Sequence, residues 1–142
     1  MADSIRERLL AAITTAAQAE YGEYIAVDDE LPVTVVADGD DQATTDHYGI
    51  TNNAMPVTIA RAEKANSTDK AARRTQAHAA ITALVQRMFA DRTFGGLAYR
   101  LEYTGCGIQT EGAGAVITAQ AFFTVTYQHL AGNLTALPGA FD

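Results

Sequence analysis

Residues 91–134 read DRTFGGLAYRLEYTGCGIQTEGAGAVITAQAFFTVTYQHLAGNL, and the way this third divides decides the fold. A helix end gives way to Thr93-Phe94-Gly95-Gly96, and two strand-like runs follow, 97–105 and 115–127. In the second run Ile117, Ala119, Ala121, Phe123, Val125 and Tyr127 alternate with Thr118, Gln120, Thr124 and Thr126, the period of two expected of a strand buried on one face. Only Phe122 breaks the polar face, as an edge-packing residue or a partner contact. Between the runs, Gly105 to Gly114 carries four glycines, which predicts a loop that stays mobile until something binds it. The two runs read as a long hairpin laid against a helix.

That helix lies upstream. Asn66-Ser67-Thr68-Asp69 offers cap residues and a negative first turn for a segment running to Phe89. Its apolar stripe is Ala77, Ile81, Leu84, Val85 and Met88, and at 100° per residue the stripe extends back through Arg74 and Lys70. Either these long side chains snorkel past the edge of the core, or the start of the helix overhangs the domain and meets a neighbouring subunit. On the second reading Lys70, Arg73 and Arg74 face an acidic segment of that subunit, Asp38, Asp40 or Asp41.

Further toward the amino terminus, Met55 to Lys64 predicts a strand with Val57, Ile59 and Arg61 on one face, and Leu31 to Ala37 predicts another, closed by Asp38-Gly39-Asp40-Asp41. Gln42 to Ala54 is polar without period and reads as a loop. Ser4-Ile5-Arg6-Glu7 is a capping box, opening a helix whose stripe is Ile5, Leu9, Ala12, Ile13 and Ala16 and whose end falls near Ala19 to Gly22. The expected fold is α+β: one domain over 1–142, a single mixed, largely antiparallel sheet with two main helices packed on it, and a short tail from about residue 134.

Composition narrows the function classes. At 142 residues the chain suits one core. Alanine makes up much of its 48% hydrophobic content and there is no Trp, so self-burial is modest and oligomerisation is favoured. A net charge of -7 argues against gripping nucleic acid, which needs phosphates neutralised. The start of the chain has no apolar signal core, and no run of about 18 apolar residues is present to span a bilayer. A soluble product made in a reducing compartment is expected.

The search for chemistry excludes more than it finds. His47, His78 and His129 stand in no ligand spacing, and read as ordinary surface or edge histidines. Asp38-Gly39-Asp40-Asp41 lacks the ligand ladder of a calcium loop and reads as turn chemistry. Cys106, the single cysteine, has no basic neighbour to activate it. The glycines of 105–114 precede a strand and lack the Lys-Ser/Thr of a phosphate loop. No catalytic residue, cofactor or metal site is expected.

The order helix, strand, long loop, strand, helix, strand, glycine-rich loop, strand covers almost the whole chain. Together with Asp91-Arg92-Thr93-Phe94-Gly95-Gly96-Leu97 at a helix end, and a last strand closing on an aromatic and a polar, Gly-containing turn, Tyr127 to Asn133, it resembles the tail terminator (tail-completion, minor tail) proteins of long-tailed bacteriophages. Many members carry a Pro or an acidic residue after that turn, where this chain has Asn133-Leu134. The resemblance implies a virion protein made in the host cytoplasm. It implies a self-assembled ring, six-membered in the family, that sits on the head-proximal end of the tail tube, stops its polymerisation and offers a surface to the head–tail connector. Partners would be the tail tube protein and the connector protein, with no specific nucleic acid and no membrane. The segments expected to touch them carry His47, Tyr48, Asn52 and Asn53 in one and Cys106, Ile108, Gln109 and Glu111 in the other. A neck or head-completion protein is the nearest alternative, and a small α+β ligand-binding or enzymatic domain is the alternative from another class.

Overall fold

The computed structural model describes residues 3–22, 31–46, 48–111 and 115–138. Ser4 caps helix α1 (Ile5–Ala16) by accepting from the Glu7 amide at 3.1 Å. A two-residue strand β1 (Glu20–Tyr21) follows, then β2 (Val33–Asp38), β3 (Gln42–Thr45) and the long β4 (Ile50–Lys64). Helix α2 (Lys70–Phe89) is capped by Asp69, whose carboxylate accepts from the Ala72 amide, and β5 (Arg100–Glu111) and β6 (Val116–Leu130) complete the chain.

The strands form one sheet in the order β1-β2-β4-β6-β5, with β3 alongside the first part of β4. Every neighbouring pair is antiparallel except β1 with β2. The fold is therefore α+β with a mixed, largely antiparallel sheet. β4 and β6 are its spine, paired from Ile50↔Leu130 to Lys64↔Val116 without a break. Alternation of buried and more exposed positions over most of that length, Thr51 to Ile59 and Ala119 to His129, locks the register, because a slip of one residue would turn those buried side chains outward.

Both helices lie on the same face. Ile5, Leu9 and Ile13 of α1 and Leu84 and Met88 of α2 share one core with Met55, Val57 and Ile59 of β4 and Phe123 and Val125 of β6. Ala77 and Ile81 of α2 pack against Ile117 and Ala119 nearer its amino end. Complete burial of each Leu, Ile or Phe is worth about 1.5–3 kcal/mol, so this layer supplies most of the cohesion.

Three expectations change. The segment 42–54, read as a loop, is a β-hairpin: Gln42↔Ala54 through Thr45↔Thr51 are paired. The glycine-rich segment is strand β5 as far as Glu111, and only its 112–114 portion lies outside the described residues. The first of the two strand-like runs, expected from residue 97, begins at Arg100 as β5, because the chain from Asp91 to Leu97 is still turning. In that turn the Asp91 carboxylate accepts from the Gly95 amide at 2.9 Å, and Gly95 and Gly96 take φ of +73° and +88°, values that suit a residue without Cβ.

Candidate functional site

The densest polar constellation sits where α1, β2, β3 and β6 meet. Arg6, in the first turn of α1, reaches Asp38 at 2.7 Å and Asp41 at 3.1 Å and donates to the Gly39 carbonyl at 2.9 Å. Tyr127 of β6 donates to Asp41 and Tyr21 of β1 to Asp38. The Asp38-Gly39-Asp40-Asp41 turn is thus folded around one guanidinium. Burial alone would raise the Asp38 carboxyl, but the Tyr21 hydroxyl and the hydrogen bonds and charge of Arg6 overcome it and hold the group below the usual carboxylate range. Burial, reinforced by Asp41, raises the Tyr127 phenol. Nothing in this arrangement is an unpaired nucleophile or base. It is a clamp fixing the turn, and sequence reading missed Arg6 because its partners stand more than thirty positions away.

Asp40, by contrast, is exposed. At α2 the Gln76 side chain ties the helix to the end of β4, donating to Glu63 at 2.9 Å and to the Lys64 carbonyl at 2.8 Å and accepting from the Asn66 amide. Lys70 and Arg74 precede this tie and are exposed, and Arg73 is half-buried. None of the ion pairs among the described residues involves these three. The acidic turn adjoins Pro56 of β4, since the Gly39 amide donates to the Pro56 carbonyl, whereas the start of α2 adjoins Lys64. Eight strand residues apart, the two patches are separated by about 26 Å, so a single chain cannot bring them together.

The residues expected in partner-contact loops fall differently. His47 lies outside the described residues. Tyr48 is 78% exposed at the tip of the β3–β4 hairpin. Asn52 is half-buried and accepts from Gln128 at 2.8 Å. Asn53 is 6% exposed beneath the helical layer, beyond a partner's reach, because its place in the β4 alternation turns it inward. Cys106, Ile108 and Gln109 are exposed and Glu111 closes the same strand, so they lie on an ordered edge rather than in a loop. His129 is buried on the central strand β6 and bonds the Leu130 carbonyl at 2.8 Å, against the reading of it as a surface or edge histidine, while His78 is exposed on α2. Among the described residues no three His, Cys, Asp or Glu side chains gather as metal ligands, and no helix is long and apolar enough to cross a membrane.

Phe122, the aromatic on the polar face, also finds its reason. Its ring lies over Gly105 and Gly107 of the adjacent strand, where Cβ atoms would stand 3.8 and 3.7 Å from it. The glycines leave a flat floor and the ring covers it, a known way of shielding strand glycine.

No family model matches the chain, and no curated protein matches it. Among solved structures, a chain of the structure entitled "Virion of native gene transfer agent (GTA) particle" is similar at 10% identity and a TM-score of 0.43, over 88% of this chain and 92% of that one. A likeness of that size carries no functional argument.

Proposed function

We propose that the protein is a structural virion component that caps the completed tail tube of a long-tailed phage-like particle as a ring, stops tube polymerisation and presents a surface to the head–tail connector. The element order on which the resemblance rests supports this reading. The observation that carries it is the cationic start of α2: Lys70 and Arg74 project past the tie at Gln76 with no ion pair among the described residues. Such a cluster suits a head-to-tail junction, in which one surface of a subunit meets a different surface of the next and the contact repeats around the ring. Of the three acidic residues considered as its counterpart, Asp38 and Asp41 are already held by Arg6, which leaves Asp40. In this role the protein needs no cofactor and performs no reaction, and an acidic ring lets DNA pass without adhering.

A neck protein of the connector uses the same kind of ring and differs only in what it touches. Electron microscopy of the protein incubated with tail tubes and, separately, with connectors distinguishes them. Rings seated on tube ends support the terminator reading. Rings seated on connectors alone support the neck reading, and a compact particle that joins neither while binding a small metabolite overturns both.

A further inference from the structure

β5 ends the sheet. Arg100–Glu111 pairs with β6 on one side, and among the described residues nothing pairs on the other. Twelve residues is long for an open edge, and proteins ordinarily blunt such edges with charge, proline or cover. Here the charged residues stand only at Arg100, Glu102 and Glu111, and Tyr103 to Thr110 contains neither charge nor proline. Large apolar side chains are exposed along it too: Tyr99 at 66%, Tyr103 at 42% and Ile108 at 37%.

The register with β6 assigns each residue a face. Leu101 opposite Val125 and Tyr103 opposite Phe123 lie on the helix-covered side. A bulge between Tyr103 and Gly105 absorbs Thr104, after which Cys106 opposite Ala121, Ile108 opposite Ala119 and Thr110 opposite Ile117 return to that side. Arg100, Glu102, Gly105, Gly107 and Gln109 occupy the other. Counted with the bulge as a single position, the pattern of faces is symmetric about Cys106.

We propose that β5 pairs antiparallel with β5 of a second copy about a two-fold axis at Cys106, joining the two sheets into one with the helices of both copies on the same side. An antiparallel partner must place residues of the same face opposite one another, and this register does so at every rung. Cys106 meets Cys106 of the second copy. Gly107, which has no side chain, meets the other copy's bulge. Ile108 meets Tyr103, Gln109 meets Glu102 and Thr110 meets Leu101, so the exposed apolar residues Tyr103 and Ile108 cover each other. A slip of two residues either way parts Ile108 from Tyr103 and sets Cys106 against one of them. A two-fold contact closes on itself as a dimer. It uses a different surface from the α2 junction proposed above and stands whether or not that junction forms.

The test is register-specific thiol coupling of the full-length protein, alongside sedimentation at micromolar concentration. The expected results are a particle no smaller than a dimer, and rapid copper-phenanthroline coupling of Cys106 between copies. In a Cys106→Ser background, Glu102→Cys with Gln109→Cys together should couple, whereas Gln109→Cys alone should not. Tyr103→Lys with Ile108→Lys, both at exposed positions, should weaken the dimer at least tenfold and abolish coupling while circular dichroism stays unchanged. A monomer at all concentrations overturns the proposal, and so does a dimer in which Gln109→Cys alone couples as well as the pair. Should the double-lysine variant fail to fold, the comparison of the two cysteine arrangements decides.

Discussion

Arg6 shows how one side chain sets a turn that the sequence presents only as a cluster of acids. It joins α1 to the segment between β2 and β3 through three oxygen-bearing groups, with 28% of its side chain exposed and Asp38 and Asp41 less so. Removing it leaves two half-buried carboxylates facing each other without a counterion. Arg6→Ala should therefore lower the unfolding free energy by about 2 kcal/mol, read by urea denaturation. Because folding depresses the Asp38 pKa, its contribution is complete above the ordinary aspartate value of about 3.9 and is lost as pH falls through the lower folded value. Acid titration of the wild type should show this loss of stability, and Asp38→Asn should flatten it. Gly107→Val should destabilise by about 1–3 kcal/mol in the same denaturation assay. An added Cβ would stand 3.3 Å from the Gln120 side chain, and the branches would meet the Phe122 ring. None of these partnerships was legible in the sequence, because each joins residues far apart in the chain through a register that only the folded sheet defines.

The elements themselves were legible where one face is apolar. Ser4 and Asp69 mark both helix starts, and the alternation from Ile117 to Tyr127 is the buried face of β6. Sequence reading failed in three places for identifiable reasons. β3 is exposed at all four residues, so Gln42-Ala43-Thr44-Thr45 has no apolar face to betray it. The opening of β4 turns Thr51 and Asn53 inward, inverting the usual polarity of a buried position. In β5 the glycines that suggested flexibility instead make room for Phe122. Hydrogen exchange on the isolated protein should accordingly show slow amides within 51–54 and along the β6-paired positions of 105–110, comparable with the rest of the sheet edges. Exchange as fast as that of an unstructured peptide would restore the loop reading and remove the ordered edge on which self-pairing depends.

At the scale of the whole molecule, one face of the sheet carries both helices, and among the described residues the β5 edge has no strand partner and Lys70, Arg73 and Arg74 have no ion pair. If the α2 junction forms, Lys70→Glu with Arg74→Glu should shift the assembly toward smaller species by light scattering. Adding Asp40→Lys should partly restore it, and Asp41→Lys should not, since that change breaks the Arg6 clamp. Exposed pairs are worth about 0–1 kcal/mol each, so the effect is largest at low protein concentration and low salt. DNA affinity should be weak, with no sub-micromolar duplex binding at physiological salt by fluorescence anisotropy, because only 10 basic residues face 17 acidic ones. The fold class and the resemblance came from the order of elements. The composition of the contact surfaces did not, since exposure is a property of the folded chain. The most direct test of the proposed role is to polymerise the tail-tube protein of the same particle with and without this protein and measure tube lengths by electron microscopy. The proposed role predicts short tubes, each ending in a ring at one end only, and a length distribution unchanged by saturating protein would contradict it.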